Sequence, residues 1–155
     1  MSILIEKGTA HHLGDCTEAI LRSEIGEVYF PDESSVERFL SDGLSKGEIH
    51  VAVDEQGECL GFVWFTLNGA FYSWPYVRLI AVRPEFRGLG VGRALLAFFE
   101  EEGFKRMDHV FLLVSDFNAR ARKLYEQLGY RQVGVIPDLI KEGIGECIMM
   151  KSRRA

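Results

Sequence analysis

Hydrophobic positions along this chain fall into short runs whose period changes from two to about three and a half. Residues 3–7 alternate weakly and predict a first strand, and residues 11–26 carry Leu13, Ala19, Ile20 and Leu21 in loosely helical spacing. Pro31-Asp32 breaks that pattern. Asp32 can then cap a second helix in which Val36, Phe39 and Leu40 fall at i, i+3 and i+4, ending near Gly43 to Gly47. Residues 48–53 and 58–67 are rich in β-branched and aromatic side chains on either side of Asp54-Glu55-Gln56-Gly57, which predicts a hairpin. Asn68-Gly69 is the strongest two-residue turn signal and predicts a third antiparallel strand, ending in Tyr76-Val77-Arg78-Leu79-Ile80-Ala81-Val82. Pro75 complicates the start of that strand, because proline has no N–H for the ladder.

In the second half, Val91, Leu95, Phe98, Phe99 and Glu102 form an apolar stripe with a charged edge, a helix that stops near Gly103. Residues 109–114 read as a short central strand. Residues 118–128 read as a helix with Ala121, Leu124, Tyr125 and Leu128 on one face and Gly129 just past its end. Two strands, at residues 130–136 and 147–151, close the chain. The order is strand, two helices, three antiparallel strands, helix, strand, helix, two strands, which predicts an α/β protein of the α+β type with a mixed sheet. The strand ending at Val82, the helix after it and the strand from His109 form a crossover, so those two strands should be parallel neighbours. With no repeat, low-complexity tract or linker, residues 1–155 read as a single domain.

Composition narrows the partners. At 155 residues, 47% hydrophobic and 26% charged, the chain can bury about two-thirds of its unfolded surface. A net charge of −5 argues against general nucleic-acid binding, and Arg120, Arg122 and Lys123 read as an exposed helix face. No run approaches the roughly 18 apolar residues of a membrane span and no signal core opens the chain, so the expectation is a cytoplasmic protein without a membrane partner. Cys16, Cys59 and Cys147 have no metal-ligand or redox spacing and read as buried free thiols. His11 and His12 are adjacent and lack a third ligand at suitable spacing, so no metal is expected.

Arg87-Gly88-Leu89-Gly90-Val91-Gly92 lies between a predicted strand and a predicted helix. Glycines let the backbone turn tightly, and the first helical turn offers unpaired N–H donors and the positive end of the dipole, a combination that binds phosphate. The P-loop pattern is absent. A Gly-x-Gly-x-x-Gly fingerprint fails too, since Arg93 or Leu95 occupies its third glycine position.

What does fit is Arg/Gln-x-x-Gly-x-Gly/Ala, met by Arg87, Gly90 and Gly92, followed by Asn118-x-x-Ala121-x-x-Leu124-Tyr125-x-x-x-Gly129-Tyr130. On these residues the chain resembles the GNAT superfamily of N-acetyltransferases, in detail over roughly residues 76–133. The resemblance implies an acyl-CoA N-acyltransferase fold, a mostly antiparallel central sheet with one parallel pair and about four flanking helices. It implies acetyl transfer from acetyl-CoA to a primary amine, small molecule or protein, by direct attack in a ternary complex. No cysteine lies in either motif, which leaves a covalent acetyl-enzyme without support.

By the same resemblance, the backbone of Arg87, Gly88, Leu89, Gly90, Val91, Gly92 and Arg93 would hold the pyrophosphate. Ile80, Ala81 and Val82 would hydrogen-bond the pantetheine arm, with an N–H near Val82 polarising the thioester oxygen. Asn118 would contact the cofactor arm or the local backbone; capping its own helix suits it equally. Tyr125 would be the general acid that protonates the departing thiolate, against the plainer reading of a half-buried core tyrosine. Many relatives carry a carboxylate base near the start of the strand ending at Val82, where this chain has Tyr76 and then Arg78. Glu24, Glu27, Glu33 and Glu146 remain candidates through water, and the missing carboxylate also leaves open a domain that senses acyl-CoA without turnover.

Phe71, Tyr72, Trp74 and Tyr76 crowd the stretch before that strand and form either an aromatic wall for an amine or part of the core. Glu24, Glu27, Tyr29, Asp32 and Glu33 make an acidic-aromatic group that suits a cationic acceptor, so Glu27, Tyr29, Tyr72 and Tyr76 are the candidate substrate-binding residues. Terminal strands of such sheets often pair between subunits, which makes a homodimer possible.

Overall fold

The computed structural model describes residues 1–154. Its elements run β1 (Leu4–Lys7), α1 (Leu13–Leu21), α2 (Glu24–Tyr29), α3 (Glu33–Ser45), β2 (Ile49–Val53), β3 (Cys59–Ala70), β4 (Trp74–Val82), α4 (Val91–Phe104), β5 (His109–Ser115), α5 (Ala119–Gln127), β6 (Arg131–Pro137) and β7 (Gly145–Ser152). Short 3₁₀ turns occupy Ala10–His12 and Pro84–Phe86. This is the expected mixed, mostly antiparallel α/β fold with one parallel strand pair, carrying five α-helices rather than about four.

The extra helix arises where the apolar pattern predicts one helix across residues 11–26. Ser23 divides it: its hydroxyl donates to the Ile20 carbonyl at 2.6 Å, at the end of α1, and accepts from Gly26 N–H at 3.1 Å, capping α2. The turn is tight. A Cβ at Gly26 would sit 2.0 Å from the Ile20 carbonyl oxygen. Asp32 caps α3 as its position predicts, accepting from Ser35 N–H at 2.8 Å, and this bond to the ionised form holds its carboxyl below the ordinary range.

A larger departure concerns the hairpin between β3 and β4. The turn predicted at Asn68-Gly69 is not there, and β3 runs through both residues to Ala70. The chain reverses instead at Phe71 and Tyr72, with φ of 52° and 64°, closed by Ser73 N–H on the Ala70 carbonyl at 3.1 Å. Two consecutive non-glycine residues in the left-handed region are strained. A long-range contact offsets part of that cost, since the Phe71 ring meets Phe111 edge-on at 5.9 Å. Gly69 serves packing rather than turning: a Cβ there would come within 2.3 Å of Thr66 Oγ1.

The chain divides into two compact units, Met1–Phe65 with Leu79–Phe99, and Thr66–Arg78 with residues from Glu100 onward. In the first, β1, β2 and β3 are successive antiparallel neighbours. Strand alternation turns Ile49, Val51, Phe62 and Trp64 to one side, where they pack with Ile20 of α1 and Leu40 of α3. Phe39 lies against the Trp64 ring at 4.8 Å, and the indole N–H donates to Glu48 at 3.0 Å. On the opposite face His50 and Phe65 meet Phe98 and Phe99 of α4. Fully buried side chains such as Val51, Phe62, Leu40 and Phe99 contribute about 1.5–3 kcal/mol each.

Within the second unit the strand order is β4-β5-β7-β6. The predicted parallel pair is β4 with β5, joined at Tyr76↔Phe111 and Val77↔Leu112. β5 and β7 are antiparallel over seven residue pairs, from His109↔Ser152 to Ser115↔Glu146. Val110, Leu112, Val114, Cys147 and Met149 are buried on one face, against which Gly103 of α4 packs closely. A Cβ at Gly103 would lie 2.9 Å from Val110. Phe111, Leu113, Ile148 and Met150 occupy the other face and are only half-buried.

All three cysteines are free and buried. Although distant in sequence, Cys16 and Cys59 interact, and the Cys59 thiol together with burial pushes the Cys16 thiol up.

Candidate active site

The candidate residues fall into two groups, one in each unit. In the first unit, the segment from Val82 to Arg93 joins β4 to α4. Gly88 and Gly90 have φ of +78° and +87°, and no atom lies within 4 Å of a Cβ built on either. Backbone conformation, not crowding, therefore requires glycine at both. Gly92 differs. Its φ is ordinary and a Cβ would make normal contact, 3.9 Å from Val82 Cγ2, which explains why alanine suits this position in the motif.

The first α4 bond runs from Ala94 N–H to the Gly90 carbonyl at 3.0 Å. The N–H groups of Val91, Gly92 and Arg93 thus precede the helical ladder, at the positive end of a 14-residue helix. Residues 87–90 and Arg93 are exposed while Val91 is buried, and these unpaired donors with the two left-handed glycines form a cradle of the kind that binds an anion.

The loop is held from below by a network that sequence reasoning did not find. Arg87 directs its guanidinium to main-chain carbonyls, Nε to Val82 at 3.2 Å and Nη2 to Arg22 at 3.2 Å. Arg83 is nearly buried, at 11% side-chain exposure, and reaches Glu58 at 2.7 Å, Glu18 at 3.3 Å and Asp15 at 3.6 Å. Burial opposes its charge, but the Glu58 hydrogen bond and the three carboxylates outweigh it and hold the guanidinium above its ordinary value. A further constraint lies at Gly61 of β3, where a Cβ would sit 2.6 Å from the Ala81 carbonyl oxygen and 3.0 Å from Val82 Cα. Only glycine allows β3 so close to the main chain of Ala81 and Val82. Sequence carried a signal for Arg83 and Gly61 only as residue types, because the partners lie up to 68 positions away.

Glu24 and Glu27 lie in the first turn of α2 and Glu33 in the first turn of α3, where acidic side chains complement the helix dipole. Glu27 is exposed and Tyr29 half-buried.

In the second unit, Asn118 caps α5: its Oδ1 accepts from Ala121 N–H at 3.3 Å. Tyr125, about two helical turns further on, is 8% exposed, and its ring meets Tyr130 edge-on at 6.0 Å. Burial pushes its phenol up to about 12. Tyr130 is itself anchored, donating to Glu100 at 2.9 Å while Lys151 pairs with the other Glu100 oxygen at 2.7 Å. Burial, then the Glu100 carboxylate, raises the Tyr130 phenol as well.

Tyr72 stands 95% exposed at the hairpin tip and lines no wall in this structure. Tyr76 is half-buried, and burial raises its phenol, with the Arg78 charge opposing and the Glu146 carboxylate adding to the rise. Glu146 is 3% exposed and receives the Ser115 hydroxyl at 2.9 Å from both carboxylate oxygens. Among the described residues no group of three His, Cys, Asp or Glu side chains is placed to hold a metal ion, and no helix is long and apolar enough to cross a membrane.

Comparison with known proteins identifies relatives of the chain. The chain is 34% identical over 99 residues to an uncharacterized N-acetyltransferase of Methanocaldococcus jannaschii, covering 63% of this chain and 62% of the relative. It is 30% identical over 146 residues to a mycothiol acetyltransferase of Pseudarthrobacter chlorophenolicus, covering 86% of this chain but 40% of the relative. The chain thus spans less than two-thirds of these relatives' length. Its fold superposes on a GNAT-family acetyltransferase of Bacillus cereus with a TM-score of 0.79 at 15% identity, over the full length of both chains. Residues 15–130 match the family model described as the acetyltransferase (GNAT) family, and the protein belongs to that family.

Proposed function

We propose that the protein transfers an acetyl group from acetyl-CoA to a primary amine by direct attack in a ternary complex. The observation that carries this reading is the cradle at the start of α4, where two glycines in left-handed conformation precede three N–H groups outside the helical ladder. Arg87, Gly88, Leu89, Gly90, Val91, Gly92 and Arg93 supply the backbone that receives the donor's pyrophosphate. Ile80, Ala81 and Val82 offer strand-edge groups to its pantetheine arm, the Val82 carbonyl being already engaged by Arg87. Asn118 keeps its capping role and adds a polar contact to the arm.

Tyr125 supplies the proton, or its hydrogen bond, to the sulfur as the thioester breaks. Its raised pKa of about 12 keeps the phenol protonated through the neutral range, so the donor is present at every physiological pH. A thiol has a pKa near 8.5, well below that phenol, which makes Tyr125 chiefly a hydrogen-bond donor to developing charge. An amine with pKa near 10.4 must first lose a proton to become a nucleophile.

Steady-state kinetics with a thiol-release assay tests the reading. Intersecting double-reciprocal lines support a ternary complex; parallel lines with an isolable acetyl-enzyme reject it. Tight acetyl-CoA binding in a calorimeter without thiol release over a panel of amines would replace it with a sensor.

A further inference from the structure

Two of the three thiols take no part in the chemistry proposed above, yet they adjoin the network that holds the donor loop. Cys16 on α1 and Cys59 at the start of β3 are 0% and 2% exposed and belong to one buried cluster. A single side chain grips the backbone and neighbours of both. Arg83 donates to the Cys59 carbonyl at 2.9 Å and to Glu58 at 2.7 Å, and it pairs with Asp15, the residue before Cys16, at 3.6 Å. Glu18, further along α1, holds the same guanidinium at 3.3 Å. The two thiols interact with each other, whereas Cys147 belongs to the second unit.

The two sulfurs are chemically unequal. The Cys16 side chain first, and the Arg83 charge after it, hold the Cys59 thiol below its ordinary value against burial and the Asp15 carboxylate, while Cys16 is pushed up. Cys59 also follows Glu58 directly, and the Glu58 side chain is half exposed. A thiolate is the nucleophile toward a peroxide, so Cys59 is the sulfur that reacts first and Cys16 the one that resolves it. Cys59 touches the donor strand as well, through one glycine. Its thiol donates to the Gly61 carbonyl at 3.8 Å, and Gly61 is the residue that admits the main chain of Ala81 and Val82.

We propose that Cys16 and Cys59 form a reversible disulfide when the protein meets a peroxide, and that this bond loosens the donor loop. The effect on the donor rests on the acetyl-transfer reading above; the bond itself does not. The Cys59 thiolate attacks one peroxide oxygen and the O–O bond breaks. The departing hydroxide takes up the proton that Cys59 lost, giving water and a sulfenic acid. The Cys16 sulfur then attacks the Cys59 sulfur, the S–O bond breaks, and the hydroxide leaves with the Cys16 proton as a second water. Each sulfur gives up one electron and the peroxide takes two. Sulfurs in a disulfide stand about 2 Å apart, closer than two reduced thiols in contact, so α1 must shift against β3. Asp15 and Glu18 move with Cys16, and a packed interior passes such a shift on rather than absorbing it. Arg83, held by both carboxylates, follows Val82 directly in the chain and carries the shift into the start of the loop.

The test treats the full chain with equimolar hydrogen peroxide and follows free thiols, mass and, by calorimetry, acetyl-CoA affinity. The wild type is expected to lose two thiols and about 2 Da, to yield a cross-linked Cys16–Cys59 peptide on digestion, and to bind acetyl-CoA about tenfold more weakly. Dithiothreitol should reverse all of these changes. Cys147→Ser is expected to respond as the wild type does. Cys16→Ser is expected to form no cross-link and to stop at a sulfenic acid on Cys59, trapped with dimedone. Three free thiols after treatment, a cross-link that includes Cys147, or a sulfinic acid on Cys59 in place of the cross-link overturns the proposal. A cross-link that leaves acetyl-CoA affinity unchanged overturns its effect on the donor loop. Reduced protein that does not bind acetyl-CoA overturns the donor reading, and mass and peptide mapping then decide the disulfide by themselves. If Cys16→Ser does not fold, Cys59→Ser decides: an unmodified Cys16 supports the order of attack, and a sulfenic acid on Cys16 overturns it.

Discussion

The two groups of candidate residues solve opposite problems. The loop before α4 presents main-chain N–H groups, and its side chains either point to solvent, as Leu89 does, or turn back to brace the backbone, as Arg87 does. The face built by β4, β5 and β7 presents side chains, with its main chain committed to the ladder. Backbone recognition depends on φ and on the absence of a Cβ, so it tolerates any neighbour that leaves the conformation intact. Side-chain recognition depends on identity at single positions. Under the proposed assignment, substitutions in the second group can change the acceptor while the donor loop stays the same.

Four measurements would break or sharpen this contrast. The largest effect is expected from Tyr125→Phe, which keeps the buried ring and removes the proton: kcat should fall about a hundredfold, with acetyl-CoA affinity within twofold. An unchanged kcat removes Tyr125 from the chemistry. Next comes alkaline pH. Tyr125 is raised from 10 to about 12 by burial, so the folded state holds its proton where the unfolded chain loses it. The associated stability is fully present below pH 10 and is lost between pH 10 and 12, amounting to about 3 kcal/mol from this residue. Denaturant titrations of wild type and Tyr125→Phe over that range should diverge; superimposed curves would show that the phenol ionises freely in the fold.

Smaller effects are expected in the loop. Gly90→Ala places a Cβ at φ +87°, a strain of about 1–2 kcal/mol, and should weaken acetyl-CoA binding roughly tenfold by calorimetry. Gly92→Ala should leave affinity within twofold, because its conformation is ordinary and the added methyl makes normal contact with Val82. Equal losses at the two positions would mean that space, rather than backbone conformation, governs the cradle.

The loop was legible in sequence because its requirements are local: left-handed glycines, a strand before and a helix after lie within a dozen residues. Asp32 capping α3 and the parallel partnership of β4 and β5 were legible for the same reason, through cap chemistry and crossover length. Where a distant contact decides, local signals misled. Asn68-Gly69 has turn chemistry, yet the reversal sits at Phe71 and Tyr72, and the ring contact of Phe71 lies 40 positions away on β5. Ser23 dividing one expected helix into two is a subtler case, since serine caps a helix as readily as it continues one. In the sequence, Glu146 stood among four carboxylates without distinction; only the fold shows that it is buried and receives the Ser115 hydroxyl, 31 residues earlier.

Arg87 carries one more implication. Its fork is satisfied by two carbonyl dipoles and by no carboxylate among the described residues, so its formal charge is not cancelled locally, in contrast to Arg83 beneath three acidic side chains. On a chain of net charge −5, that uncancelled charge beside unpaired N–H donors marks one place toward which a polyanion can be drawn by diffusion. The rate of donor capture, more than the strength of its final grip, should then decline as ionic strength shortens the screening length.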